Sequence, residues 1–483
     1  MKRRIIVASF VLVALMATTL ADASRAQEGA VKVDAAGSPF EVLTRGPVHE
    51  AFATQYQTNA VPGVRVDREP PQLVEEIPPA MKPAGDAALW IPGYWGWDAD
   101  ASDFLWVSGT WRNPPPGHQW VPGYWNRMNS SFQWMCGFWM PSDVAQMQYY
   151  SAPPRSLERG PNSDAPGINH FWVPGSYVPN NAKYAWQPGY WCPYQTNYLW
   201  VPSYNMATGS GYVHVPGYWD YRMDQRGTLF APVRLNASSR TTASARFTPG
   251  IVTPLDALQF HLFSQANSNT YLFGNYYDSK YAGLGIQPWY STQFVRGVPD
   301  PTFGYYNWLY SGSGANYYLN VLTKWNAYYV KNVALRPALT LVDQINLANQ
   351  QSAAVNLTNS LLAVPLTDVV AKTPTAFVTL TAQQTTNIVA SATGLRALST
   401  ERLNVEGRAG GPLNVAGAAN TSGILSSQTL KLPVVATPVA PLNAVVPAHP
   451  SRLINQVPNL GGVTGGNVGG GALPQLPVKL PGL

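Results

Sequence analysis

The sequence predicts a mainly β repeat array, an antiparallel meander in two blocks of four units, followed by a small α+β or helical region and a disordered Pro/Gly tail. Three observations carry this reading. Variants of the phrase Trp-x-Pro-Gly-Tyr-Trp begin at Trp90, Trp106, Trp120, Trp134, Trp172, Trp186, Trp200 and His214. The first spacing is 16 residues, the break after Trp134 is 38, and every other spacing is 14. Of the 17 Trp, 14 lie in residues 90–219, while charged residues make up only 12% of the chain. A fixed period of this kind specifies an architecture before it specifies a function.

Each unit reads as strand. Aromatic and apolar runs such as Phe104-Leu105-Trp106-Val107 alternate with polar turn formers such as Asn129-Ser130-Ser131. Strand residues bounded by such clusters describe antiparallel hairpins. Units two to four recur as units six to eight with an offset of 80, which marks a duplicated block. The blocks span residues 86–140 and 170–235, joined by a Pro-rich linker at 141–169. Pro cannot donate to a sheet ladder, so the Pro-Gly within each unit calls for a local irregularity. A β-bulge with a left-handed Gly is the favoured reading, because it returns Trp90 and Trp95 to one face. A type II turn is the rival.

The phrases Leu-Trp-Ile-Pro-Gly-Tyr-Trp at 89–95 and Gln-Trp-Val-Pro-Gly-Tyr-Trp at 119–125 resemble the repeat of secreted bacterial YXWGXW (WxxGxW) proteins. The resemblance covers about 130 of the 483 residues. It implies no catalytic residue and no cofactor. Units with Ser108-Gly109-Thr110, Cys136, Ser203 or His214 depart from the pattern.

The flanks differ in character. Lys2-Arg3-Arg4, an apolar run from Ile5 to Ala17 and Ala21-Asp22-Ala23 read as a signal peptide over 1–23, with no membrane span left after its removal. This predicts a secreted, periplasmic or cell-envelope protein. Residues 24–85 read as a poorly ordered leader. Export also leaves Cys136 and Cys192 either bridged across the two blocks or free and buried. Residues 236–350 read as an aromatic-rich α+β or helical domain, with helices starting at Thr253-Pro254 and running through Leu258, Phe260 and Leu262, near 317–334, and over 341–350. Residues 351–430 read as Ala/Thr-rich and partly helical, and 431–483 as a disordered tail.

Chemistry is sparse. The six His share no metal-ligand spacing, and no nucleophile elbow or P-loop is present. Asp98, Asp100 and Asp103 crowd one turn, for which an exposed polar loop is the simplest reading and a Ca²⁺ site the sharper one. The formal charge of +6 is scattered, which argues against nucleic acid. The expectation is a non-enzymatic scaffold or binding module whose partners are cell-wall or extracellular polysaccharide or other envelope proteins. The candidate aromatic platform is Trp90, Tyr94, Trp95, Trp120, Tyr124, Trp125, Trp186, Tyr190 and Trp191. An enzyme with a site in 236–350, targeted by the array, is the alternative.

Overall fold

The computed structural model describes residues 31–32, 39–235, 246–350, 358–407 and 429–433, apart from positions 86, 182, 267, 292, 296 and 297. The expected signal peptide and nearly all of the Pro/Gly tail lie outside the described residues.

The eight units pair two by two into four hairpins. Leu89–Ile91 and Tyr94–Asp98 run against Asp103–Val107 and Thr110–Arg112. The second hairpin spans His118–Val121 to Phe138–Pro141, the third His170–Val173 to Tyr190–Pro193, and the fourth Tyr198–Val201 to Tyr218–Tyr221. This pairing explains the spacings. The first hairpin turns through residues 99–102, whereas the second turns only through 129 and 130, so its two Trp starts lie closer together. Asn129 and Asn181 take the left-handed backbone that such short turns demand.

The break inside each unit is not a bulge. Ile91 faces Thr110 and Tyr94 faces Val107, so both strands skip two residues and the register is kept. The motif glycines also serve a different purpose from the one expected. None has a left-handed backbone among the described residues. Instead, a Cβ on Gly123 would stand 2.5 Å from Cζ2 of Trp134, and one on Gly137 would stand 2.3 Å from Cζ2 of Trp120. The first Trp of each unit in this hairpin lies over the Gly of the facing unit. Gly93, Gly109, Gly175, Gly189 and Gly217 are covered by facing indoles in the same way.

Outside the break, the first Trp of one unit pairs with the last Trp of the other. Trp90–Trp111, Trp120–Trp139, Trp172–Trp191 and Trp200–Trp219 have ring centroids 5.1–5.4 Å apart at steep angles. Such pairs contribute roughly 0.5–1.5 kcal/mol beyond their buried area. The inner pairs are Trp95–Trp106, Trp125–Trp134 and Tyr177–Trp186. In the fourth hairpin the inner pair is Asn205 and His214, joined by a hydrogen bond of 3.3 Å.

The hairpins associate through side chains. Tyr94 stacks on Trp134, and the indole N–H of Trp125 donates to the Trp95 carbonyl, which joins the first to the second. Phe138–Pro141 packs on Gly211–Val215 of the fourth. Asn205 donates to the Tyr177 carbonyl, which joins the fourth to the third. A buried bidentate pair of Arg112 with Asp220 ties the first hairpin to the fourth.

The reading of 24–85 as a poorly ordered leader is corrected for its described residues, 31–32 and 39–85. Val48, Ala51 and Phe52 are fully buried. Phe40–Val42 pairs with Val233–Leu235, which extends the first hairpin. These apolar residues sit in short extended pieces with no period, so nothing in the pattern announced them. Residues 236–350 are likewise not a separate domain. Their sheet has the order Gly46–Pro47, Tyr271–Phe273, Leu262–Gln265, Ile286–Pro288. Their core includes Val48, Phe52, Leu199 and Met223.

Helices Tyr317–Lys331 and Leu341–Gln350 form where expected. The helix after Thr253 is a single turn, Leu255–Leu258, capped at Pro254 without a side-chain bond. It gives way to strand at Leu262 because Leu262 and Phe263 are buried in the sheet. In the Ala/Thr-rich region, Ala382–Glu406 is a long helix laid against the first two hairpins. Its Ser399 donates to the Gly123 carbonyl, and buried Arg402 donates to those of Pro122 and Cys136.

If Gly123 is there for space rather than for backbone freedom, Gly123→Ala destabilises the chain by about 2 kcal/mol or more. Gly250→Ala, where a Cβ meets nothing within 4 Å, stays within about 0.5 kcal/mol. Urea unfolding of both variants distinguishes the two, and equal losses would refute the steric account.

Candidate functional site

The aromatic platform divides in two. Trp90, Trp95, Trp120 and Tyr124 are buried, with exposures between 2% and 6%, and Tyr94 and Trp125 are packed against the core. These six are corrected from surface to core. The reason is that the leader, the Ala382–Glu406 helix and the neighbouring hairpins cover them. Trp186 and Trp191 on the third hairpin are only partly covered, and Tyr190 is 46% exposed.

The cysteine bridge is also corrected, since both thiols are free. Cys136 is buried beside Glu50 in the second hairpin, and burial pushes its thiol well up. Cys192 stands on the third hairpin, with Sγ turned to the Pro193 carbonyl.

The sequence did not reveal a carboxylate site at the Pro-Gly break. The two skipped residues leave the Gly N–H outside the ladder, and Pro has none to leave. In the first hairpin, Glu76 accepts from the Trp106 indole (3.0 Å), the Gly109 amide (2.8 Å) and the Gly93 amide (2.7 Å). In the second, Glu50 accepts from the Trp134 indole (2.7 Å) and the Gly137 amide (2.9 Å). In the third, Glu158 accepts from the Trp172 indole and the Gly175 amide. The geometry is the same each time. The indole N–H at position one of a unit and the amide N–H at position four converge on one carboxylate. W-x-x-G is thus a clip for an anion as well as a steric fit.

Burial pushes the carboxyls of Glu50 and Glu76 up, against the N–H donors that pull them down. Glu50 and Glu76 come from the segment read as leader, and Glu158 from the segment read as linker. Other charged residues such as Glu69, Glu75, Arg155 and Arg159 stand near two of them, and no period marks any of the three, so nothing in the sequence singles them out.

The segment next to Glu50 locks in a neutral histidine. His49 is fully buried, its Nδ1 accepts from the Ala51 amide (3.1 Å), and its Nε2–H donates to the Pro92 carbonyl (3.2 Å). Burial holds it down to about 4.

A cavity of about 170 Å³ lies where the third and fourth hairpins meet the start of the Pro301–Leu309 helix. His170, Trp172, Trp191, Tyr194 and Trp200 line it. Asp300 also borders it, but its oxygens accept from the Thr302 and Phe303 amides and the Tyr271 hydroxyl. It is a helix cap, pushed up to about 6 by burial. The three turn acids engage cations. Asp98 pairs with Arg45 and Arg234, Asp100 with Arg45 and Lys280, and Asp103 with Arg68. No group of His, Cys, Asp or Glu suited to a metal ion occurs among the described residues.

Glu76→Ala leaves two amides and an indole N–H buried without a partner, so it costs about 3 kcal/mol or more. Glu158→Ala, in the open third hairpin, costs about 1 kcal/mol. Denaturant titration of both variants checks the order, and a larger loss at Glu158 would contradict it.

His49 sets a pH dependence of known sign. The unfolded chain takes up this proton near the ordinary value of about 6.5 and the folded chain only near 4, so stability falls as pH drops through that window. A His49→Gln variant therefore loses less stability than the parent between pH 7 and 4.5, by roughly 2–3 kcal/mol. Urea midpoints across that range test it, and parallel curves for the two proteins would exclude it.

Comparison with known proteins gives one match, confined to the array. The family model described as WXXGXW repeat (2 copies) matches residues 89–112, 102–126, 167–192 and 209–224. No curated protein and no solved structure matches the chain. The matched stretches fall on the hairpins, so the array at residues 89–224 carries repeats of the WXXGXW type.

Proposed function

We propose that the protein is a non-enzymatic, exported binding scaffold whose ligand-facing surface is the third hairpin. The carrying observation is that, of the nine candidate platform residues, Tyr190 on this hairpin is the one that is exposed. Tyr190 is 46% exposed, against 2% for Trp90 and 6% for Trp120. Trp191 lines the cavity of about 170 Å³, and Trp186 and Tyr190 stand on the same hairpin. Rings with a polar edge suit the apolar faces and hydroxyls of sugars, so the ligand class is cell-wall or extracellular polysaccharide. The N-terminal Lys2-Arg3-Arg4 and the apolar run after it support export.

The non-catalytic reading is supported by how the candidate groups of residues 236–350 are engaged. Asp300 caps a helix, Asp278 pairs with Arg336, and His261 is held between Tyr277 and the Asn359 carbonyl. No described helix is long and apolar enough to cross a membrane.

The test uses the full chain without its first 23 residues, in sedimentation with insoluble peptidoglycan and plant or bacterial polysaccharides. Saturable binding is expected to fall at least about tenfold in Trp186→Ala/Trp191→Ala, roughly 1.4 kcal/mol, in a variant that is less stable in urea because both rings pair across the hairpin but is still folded at the binding temperature. Binding that survives this double substitution would remove the third hairpin from the proposal.

A further inference from the structure

Three of the four hairpins hold a glutamate in a W-x-x-G clip, and the fourth breaks the pattern. Its clip runs from Trp200 to Ser203, where Ser replaces Gly. Trp200 Nε1 is buried and has no hydrogen-bond partner among the described residues. Trp200 also lines the cavity at the junction with the third hairpin. His170, on the same wall, has a buried Nδ1 that likewise has no partner among the described residues. A buried donor without a partner is costly and rarely left so. Trp90 Nε1 is unpartnered too, but Glu76 already fills its hairpin.

We propose that the Trp200 clip is a docking site for the glutamate side chain of another polypeptide. The three filled clips define the occupant. Each is taken by a glutamate two to three residues from a proline. Glu76 precedes Pro78-Pro79, Glu158 precedes Pro161, and Glu50 follows Pro47. The cavity wall matches such a segment, with Pro174, Pro202 and Pro299 beside the rings of Trp172 and Tyr194. The carboxylate accepts from Trp200 Nε1–H. His170 supplies a second donor when its proton sits on Nδ1. Outside the described residues, the chain's acids are Asp22, Glu28, Asp34 and Asp86, so Glu28 is the one glutamate left to fill the clip from within. Trp191 lines this cavity and also belongs to the proposed sugar surface, so the Trp200 indole signal, not retention on polysaccharide, separates the two readings.

The experiment follows the indole ¹⁵N–H signal of Trp200, assigned with Trp200→Phe, in the full chain without its first 23 residues. The probe is a peptide of residues 153–162, which contains a single glutamate, Glu158. The expected result is a saturable shift of the Trp200 signal, with the Glu158→Gln peptide binding about tenfold more weakly or worse, because a charged acceptor is lost. Both peptides act on the unaltered protein, so folding of a variant does not enter. Equal shifts from both peptides, or none, would overturn the proposal. A shift with galacturonate but not with the peptide would replace the polypeptide by an acidic sugar. A Trp200 signal that moves in Glu28→Gln without any peptide would place the occupant within the chain and also overturn it.

Discussion

The interaction on which the array depends is the seating of an indole against a bare backbone. Each first Trp of a unit lies where the facing Gly would carry its Cβ. That contact needs a glycine and interrupts the ladder for two residues on both strands. The interruption strands amide groups in a region that the other indoles keep dry. Buried N–H groups must find an acceptor. A carboxylate is the acceptor that satisfies several donors at once, and hydrogen bonds to a charged group are the stronger ones. Steric fit, broken ladder and buried glutamate are therefore one constraint seen from three sides.

This constraint makes the hairpins dependent on chain outside them. The segment His49–Phe52 shows how much. His49 donates to Pro92 of the first hairpin, and Glu50 enters the clip of the second. The Ala51 carbonyl accepts from Arg112 of the first hairpin and Trp139 of the second, and the Phe52 carbonyl accepts from Arg226. Four consecutive residues thus connect two hairpins and the start of the region after the array. Residues 86–235 alone lack both Glu50 and Glu76, so they would leave two clips without their acceptors. The apparent modularity of the repeat in sequence is not modularity in folding.

The sequence made the array legible because aromatic period and turn chemistry are local. The 16-residue first spacing is a longer turn, and Asn129 marks a tight one. The helices at Tyr317–Lys331 and Leu341–Gln350 were legible from apolar spacing. What was not legible is tertiary. Glu50 and Glu158 are single acids and Glu76 is the second of a pair, all in segments without periodicity, and only the fold brings them to their glycines. Trp90 and Trp120 could be named as platform candidates only because the period does not say what covers a sheet. Thr253-Pro254 carried a local helix start, but buried Leu262 and Phe263 claimed the following residues for a strand.

The departures from the repeat become intelligible once the hairpin, not the single unit, is taken as the element. Asn205 replaces the last Trp of one unit and His214 replaces the first Trp of the next, and these two stand directly opposite each other. Losing one indole alone would leave its neighbour facing a hole, whereas the joint change exchanges a stacked pair for a hydrogen-bonded one. The outer pair of the same hairpin, Trp200 and Trp219, keeps both rings at 5.2 Å. So the fourth hairpin has relaxed its centre while holding its end. The relaxed centre is also where a Gly has become Ser203 and where an indole N–H has no acceptor among the described residues. A hairpin that keeps one indole seat at its break, Trp200 over Gly217, and is anchored by its outer Trp pair and by Asp220, holds its shape without the second seat that the other three hairpins retain.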